Sequence, residues 1–346
     1  TSEKFHQQLM NKTDYQSLLG NIQKQPPSGY NDHIVIVDAM NTFIRSFSML
    51  KAMNPEGQPI GGLVGFLRSI GYLTRTIQPT RLVLVFDGRA SSQSRKNVDA
   101  NYKAQRVNQR ITNWEMYDDK EAEYASMTAQ MDRLIEYLHC LPVTMISIDK
   151  VEADDVIAYI AQKNDAKGRK STIVSSDKDF LQIVTKNINV YSPIKKKFYD
   201  PFMVKQDIGM LPENYLIAKS LLGDNSDNLT GVKGLGQKTM LKEFPYLVDR
   251  PGVTLDDIYE TCEERIDDKK IFAKILQYKH RVDTNHELMN LQEPVLSDDQ
   301  KVRILEEMRE KPGMLNLGAF LHMLDQDKIE GITKNTEGWL ENFRDL

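Results

Sequence analysis

Nine acidic side chains hold the positions in this chain that could do chemistry: Asp38, Asp87, Glu152, Asp154, Asp155, Asp177, Asp179, Asp224 and Asp227. Asp38, Asp87, Asp177 and Asp179 close short apolar runs, HIVIVDAMN (33–41), RLVLVFDG (81–88) and STIVSSDKD (171–179). Glu152, Asp154 and Asp155 open the helical pattern VEADDVIAYIAQK (151–163), and Asp224 and Asp227 sit in GDNSDN (223–228). Each has an ordinary explanation when taken singly. Acids in a first helical turn complement the macrodipole, and Asp at a strand end makes a cap or turn. Gathered at one sheet edge they would repel strongly in a low local dielectric, so something cationic must sit among them. Oxygen donors without His or Cys select Mg²⁺, with Mn²⁺ able to substitute. Two such ions about 4 Å apart form a device for in-line phosphodiester hydrolysis.

The stretch GVKGLGQKTM (231–240) follows directly on the last two acids. It lies between the helical patterns PENYLIAKSLL (212–222) and QKTMLKEF (237–244), so it reads as a helix-hairpin-helix turn. Glycine lets backbone approach a partner closely, and such a turn grips duplex backbone without reading sequence. Gly231, Lys233, Gly234, Gly236, Lys238 and Thr239 are the candidate contacts; a plain tight turn is the bland alternative. A second basic region runs from Arg89 to Arg110, where Arg89, Arg95, Lys96, Lys103, Arg106 and Arg110 face a single acid, Asp99. That local excess is an electrostatic footprint for phosphate.

The elements that must position these groups alternate. The three apolar runs above and LPVTMISID (141–149) read as buried strands. GGLVGFLRSIGYLTRTI (61–77), KEAEYASMTAQMDRLIEYL (120–138) and 151–163 read as helices. The alternation predicts an α/β domain over 32–200 with a mainly parallel sheet flanked by helices. Residues 89–119 interrupt the rhythm as a polar, basic arch, and NVYSPIKKKFYD (189–200) reads as a hairpin. From Pro201 to residue 346 a helical subdomain is expected, with the helix-hairpin-helix at about 212–244; residues 1–31 read as a polar leader.

Composition removes several classes. The two cysteines, Cys140 and Cys262, are far apart and the six histidines scattered, which argues against a zinc site, a disulfide framework and thiol or histidine-triad chemistry. No apolar run suits a membrane span and no signal-peptide order opens the chain, so a cytoplasmic monomer is expected, in the host cell if the source is a phage. The net charge of −4 conceals a basic remainder once the nine clustered acids are set aside.

VDAMN, FDG, VEADD, SSDKDF and GDNSDNLTGVKGLGQKT, in this order, closely resemble the 5′-nuclease family of flap endonucleases and polymerase-associated 5′→3′ exonucleases. The resemblance spans roughly 33–250, and the hairpin and helical tail look most like the phage RNase H enzymes of the T-even type. It implies a PIN-like fold, a two-metal mechanism, RNA-primer and 5′-flap removal in replication, and DNA or RNA–DNA hybrid junctions as partners. By motif it implies Asp38, Asp87, Glu152 and Asp154 around the first metal with Asp155 beside it. Asp177, Asp179 and Asp227 would serve the second, helped by Asp224. Tyr102 and Lys103 would stand near the scissile phosphate with Arg106 following, and Arg95, Lys96 and Arg106 would hold the 5′ strand. The intact glycine hairpin also implies K⁺ on its backbone carbonyls. The thirty or so residues before the first strand depart from the family pattern. The terminal GWLENFRDL could dock a sliding clamp or single-strand-binding protein, or simply pack Trp339 and Phe343 onto the body. Two other functions are open: a structure-specific DNA-binding module without chemistry, and a toxin-type ribonuclease on a PIN-like scaffold.

Overall fold

The computed structural model describes residues 29–104, 115–344 and 346. Arg106, Arg110 and the expected leader through residue 28 lie outside the described residues.

The sheet is built from β1 (His33–Asp38), β2 (Arg81–Phe86), β3 (Thr144–Ser147), β4 (Lys170–Val174), β5 (Ile188–Ser192) and β6 (Lys197–Tyr199). Their order is β3-β2-β1-β4-β5-β6, parallel throughout except for β6. The period of two along each strand explains the apolar runs. Val35, Val37, Leu82 and Leu84 enter one core, whereas Ile34, Ile36, Val83 and Val85 enter the other. Both sheet faces are therefore covered, as a parallel sheet requires. The first face takes α1 (Ala39–Met49), α2 (Gly61–Ile77) and α4 (Lys120–His139), while α3 (Gln93–Val98) is tied by Arg95 to the Leu288 carbonyl. The second takes α5 (Ala153–Asp165). The strand order reverses between β1 and β4, where open α/β sheets form their crevice beyond the carboxyl ends.

β1 stops at Asp38, whose carboxylate accepts the Asn41 N–H (3.0 Å) and starts α1. The helical segment after Pro201 does not pack as one body. α6 (Pro201–Ile208) sets Val204 into the second sheet core. The next helices, α7 (Tyr215–Leu222), α8 (Gln237–Glu243), α9 (Leu255–Glu264), α10 (Lys270–Gln277) and α11 (Lys279–Met289), surround a third core around Phe244 and Phe272. The chain then returns to the sheet. α12 (Asp298–Arg309) adds Ile304 to the second core, and α13 (Leu317–Gln326) and α14 (Thr336–Glu341) bring Phe320, Trp339 and Phe343 to the first. Trp339 and Phe343 are buried, as the alternative of packing onto the body expects.

Arg81, fully buried at the start of β2, fastens this return. Its guanidinium donates to the carbonyls of Glu307, Met308 and Glu310 at 2.7–2.9 Å, where the open carbonyls of α12 favour a cation. Burial pulls its pKa down, and these carbonyls with the Thr144 hydroxyl satisfy its N–H groups. The hairpin lysines are partly spoken for: Lys197 pairs with Asp207 at 2.8 Å and Lys195 donates to the Tyr199 hydroxyl at 2.9 Å. Among the described residues no helix is long and apolar enough to cross a membrane.

Candidate active site

The carboxylates reach the crevice through the local structure that holds each. Asp38 ends β1 and caps α1, with its second oxygen accepting from the Ser175 hydroxyl at 3.1 Å. Asp87, one residue beyond β2, accepts the Ala153 N–H at 2.9 Å and so caps α5 from outside. Glu152 is the residue before that helix, and Asp154 and Asp155 are in its first turn. Asp177 follows β4, takes the Asp179 N–H at 2.8 Å, and leads into the 3₁₀ turn Asp179–Ile183. Asp224 lies in the ribbon of β7 (Gly223–Asp224) and β8 (Leu229–Thr230). Gly223 (φ 76°) needs its glycine, and the Gly231 Cα packs so closely that a Cβ there would lie 2.1 Å from the Leu222 carbonyl carbon. Gly231 thus serves the turn's internal packing.

The electrostatics reveal which carboxylates share a field. Burial pushes the Asp38 carboxyl up to about 6 against the pull of its two hydrogen bonds, and Asp87 and Asp177 add to the rise. Burial, then Asp177 and Asp38, hold Asp154 well above the usual carboxylate range. Asp179 is pushed up to about 7 by burial and Asp177, despite Lys219. Glu152 and Asp224 are held by cations instead. Burial would raise Glu152, but Lys103 (2.9 Å) and Arg95 (2.8 Å) bring it below the ordinary value. Burial likewise opposes Asp224, yet Lys219 at 2.6 Å and Ser226 bring it to about 2. The Lys219 ammonium bridges Asp224 and Asp179, and although burial would lower its pKa, Asp179 drives it up.

These shifts fix a pH dependence. Asp38 and Asp179 hold protons in the folded state that the unfolded chain releases near pH 4. Between roughly pH 4 and 7 the folded state binds more protons, so this contribution to stability is present at the low end and lost as pH rises. His33, lowered to about 4 by burial, works in the opposite direction. The expected result is that stabilisation by Mg²⁺, taken as the difference between urea midpoints with and without the ion, grows from pH 5 to pH 8. His33 cancels from that difference, and a pH-independent gain would contradict the assignment of the shared field.

The crevice beside these groups has a volume of about 590 Å³ and is lined by Asn41, Asp177, Asp179, Lys219 and Asp224 among others. On its far side the turn between β8 and α8 buries Val232, Leu235 and Met240, while Lys233, Gly234, Gly236, Lys238 and Thr239 face outward. One element thus joins a carboxylate edge to an exposed lysine surface. The N-terminal resolvase-like domain of 5′-3′ exonucleases matches residues 33–209, half of the chain and the whole six-stranded sheet. The chain belongs to the 5′-3′ exonuclease family. The 5′-3′ exonuclease of Aquifex aeolicus is 32% identical over 209 residues, covering 60% of this chain and 67% of that protein. That of Buchnera aphidicola from Schizaphis graminum is 30% identical, covering 61% and 70%. The bacteriophage T5 D15 flap endonuclease, solved with DNA and metal ions, superposes with a TM-score of 0.59 over 89% of this chain and 99% of its own; at 17% identity the likeness is one of fold.

Within this exonuclease framework two expected assignments change. Asp155 does not join the crevice. Neighbouring helix positions point about 100° apart, so with Asp154 toward the other acids, Asp155 turns to Arg95 at 2.6 and 3.1 Å and to the Val295 N–H at 3.0 Å. Arg95 in turn is buried between Asp155, Glu152 and the Leu288 carbonyl, so it secures α3 and does not hold a strand. Lys96 is exposed. Tyr102 is buried with its hydroxyl 3.2 Å from Glu152, and Lys103 Nζ lies 4.8 Å from the Tyr102 ring centre. The Asp227 side chain is buried in the same region, and its carbonyl accepts the Lys103 N–H at 3.0 Å. Lys219 is the residue of this site that sequence reasoning missed; its signal was a lone lysine in the apolar helix YLIAKSLL directly before GD.

Proposed function

We propose that this 5′ nuclease hydrolyses phosphodiesters near 5′ ends at single-strand to duplex junctions, including RNA-primed DNA, with Mg²⁺ as its cofactor. The reading is carried by the shared field of Asp38, Asp154, Asp177 and Asp179, in which burial and the Asp177 charge oppose ionisation of the other three. Among the described residues no three acidic, His or Cys side chains stand in a ready ligating group. Lys219 and Lys103 take up Asp179, Asp224 and Glu152, and Arg95 takes up Asp155, so four of the nine acids face side-chain cations among the described residues. The donors are nonetheless all oxygen, which fits a hard divalent ion. Asp38, Asp87, Glu152 and Asp154 would hold one, and Asp177, Asp179, Asp224 and Asp227 the other. When bound, such ions acidify water and neutralise charge growing on phosphate.

The chain's own side chains account for the remaining chemistry. Lys103, tethered to Glu152, is placed to exchange that carboxylate for a phosphate oxygen once substrate enters. Tyr102, whose pKa is raised by burial and then by Glu152, stays a neutral hydroxyl donor. Lys233 and Lys238 supply a non-specific grip on duplex, with K⁺ on the turn's carbonyls part of the same reading. The test is cleavage of a 5′-labelled flap duplex in Mg²⁺. Binding without cleavage would favour a DNA-binding module, and cleavage of free RNA but not the flap would favour a toxin-type ribonuclease. Lys238→Ala should weaken duplex binding and reduce its salt slope by about one; an unchanged slope would remove Lys238 from the interface.

A further inference from the structure

The outer face of α2 carries a groove that the carboxylate site does not use. Two cavities, of about 300 and 340 Å³, share Arg68 and Tyr72 as their common wall. The first reaches Arg75 and Trp339, and the second reaches Arg45, Tyr191 and Lys196. Arg45, Arg68, Arg75 and Lys196 are thus four cations on one surface, and no Asp or Glu lines either cavity. Among the described residues none of the four forms an ion pair, although acids outnumber bases in the chain, 49 to 45. Arg45 is half-buried and its pKa is pulled down by burial, so it bears a desolvation cost that an anion would offset.

The remaining features specify the anion. Arg68, Tyr72 and Arg75 follow one another at helical spacing, making an exposed stripe about 10 Å long with an aromatic ring between two guanidiniums. Cations along a track with an exposed ring between them are the arrangement that holds a strand of unpaired bases, since every base has a face to stack. Trp339 is buried at the same wall against Gly71, where any Cβ would fall 1.8 Å from its Nε1, and that N–H finds no acceptor. The second cavity includes Val174, three residues before Asp177, so the groove leads away from the catalytic edge itself.

We propose that this groove holds an unpaired polynucleotide strand, with phosphates on Arg45, Arg68, Arg75 and Lys196 and a base stacked on Tyr72. The inference rests on the nuclease reading, because it makes the groove an extension of the substrate path. Its test is fluorescence anisotropy in chelator, comparing a labelled oligothymidine with a blunt duplex. Tyr72→Ala and Arg75→Glu, both at exposed positions, should each weaken the oligothymidine about tenfold, and Arg75→Glu should reduce its salt slope by at least about 0.7. Tyr72→Phe should retain the affinity. A matching loss for the blunt duplex, or none for the oligothymidine, would overturn the proposal. In a Trp114→Phe background Trp339 is the sole indole, and oligothymidine should change its emission. An equal change with thymidine monophosphate at the same phosphate concentration would instead make this a free-nucleotide pocket and overturn the strand assignment. Failure of the unmodified protein to cut a flap would sink the nuclease reading, whereas variants that bind like a competent parent would sink the groove alone.

Discussion

An Asp154→Asn variant should cleave a flap duplex about a thousandfold more slowly and yet melt at a higher temperature than the parent in chelator. The two effects have one cause. Asp154 lies among Asp177, Asp38 and Glu152, and all three carboxylates oppose its ionisation. Its charge is a cost to the folded chain until a cation arrives, and the amide removes that cost without changing side-chain size. Sites that pre-arrange charge for a reaction commonly trade stability in this way. The same variant should bind uncut duplex at least as well as the parent, because a negative charge has left the path of a polyanion. It should also gain less melting temperature from Mg²⁺, since stabilisation by a ligand follows its affinity for the folded state. Calorimetry with and without Mg²⁺, beside single-turnover cleavage, measures all of this. A variant that is inactive and also melts lower in chelator would make Asp154 a support of the fold.

Lys219→Met should have the opposite signature. The ammonium is buried between Asp179 and Asp224, and methionine preserves the volume but leaves both acids facing each other. Breaking a buried pair from one side costs about 3 kcal/mol, so the urea midpoint in chelator should fall accordingly. Millimolar Mg²⁺ should restore much of the loss, because a divalent ion can take over the charge that the lysine supplied. A loss insensitive to Mg²⁺ would mean that Lys219 acts through packing on α7 alone.

Much of this architecture was legible in the residues. The strands announce themselves as β-branched runs, and their acidic ends indicate the crevice before any topology is known. α1 was not legible, because NTFIRSFSM continues the apolar run of β1 and only the cap made by Asp38 divides them. VEADD showed that acids open α5, but which of Asp154 and Asp155 faces the crevice depends on a helix phase that the pattern does not contain. Arg95 and Lys219 were hidden for a related reason. An arginine in a basic stretch and a lone lysine in an apolar helix show no distant partner in the local sequence, and only the fold brings Asp155 to Arg95 and Asp179 to Lys219. The return of Trp339 and Phe343 to a core begun by Val35 is a contact across three hundred residues, where local spacing carries no information.

That return has a consequence for how the chain is made. β1 leaves the ribosome well before Phe320, Trp339 and Phe343, so the face behind it stays open until they have emerged, and the bonds from Arg81 wait for residues 307–310. A nascent chain halted at residue 290 would already carry every acid of the crevice and the outward lysines, yet lack one wall of the sheet beneath them. Synthesis therefore separates the appearance of the crevice acids from the rigidity needed to hold them in place.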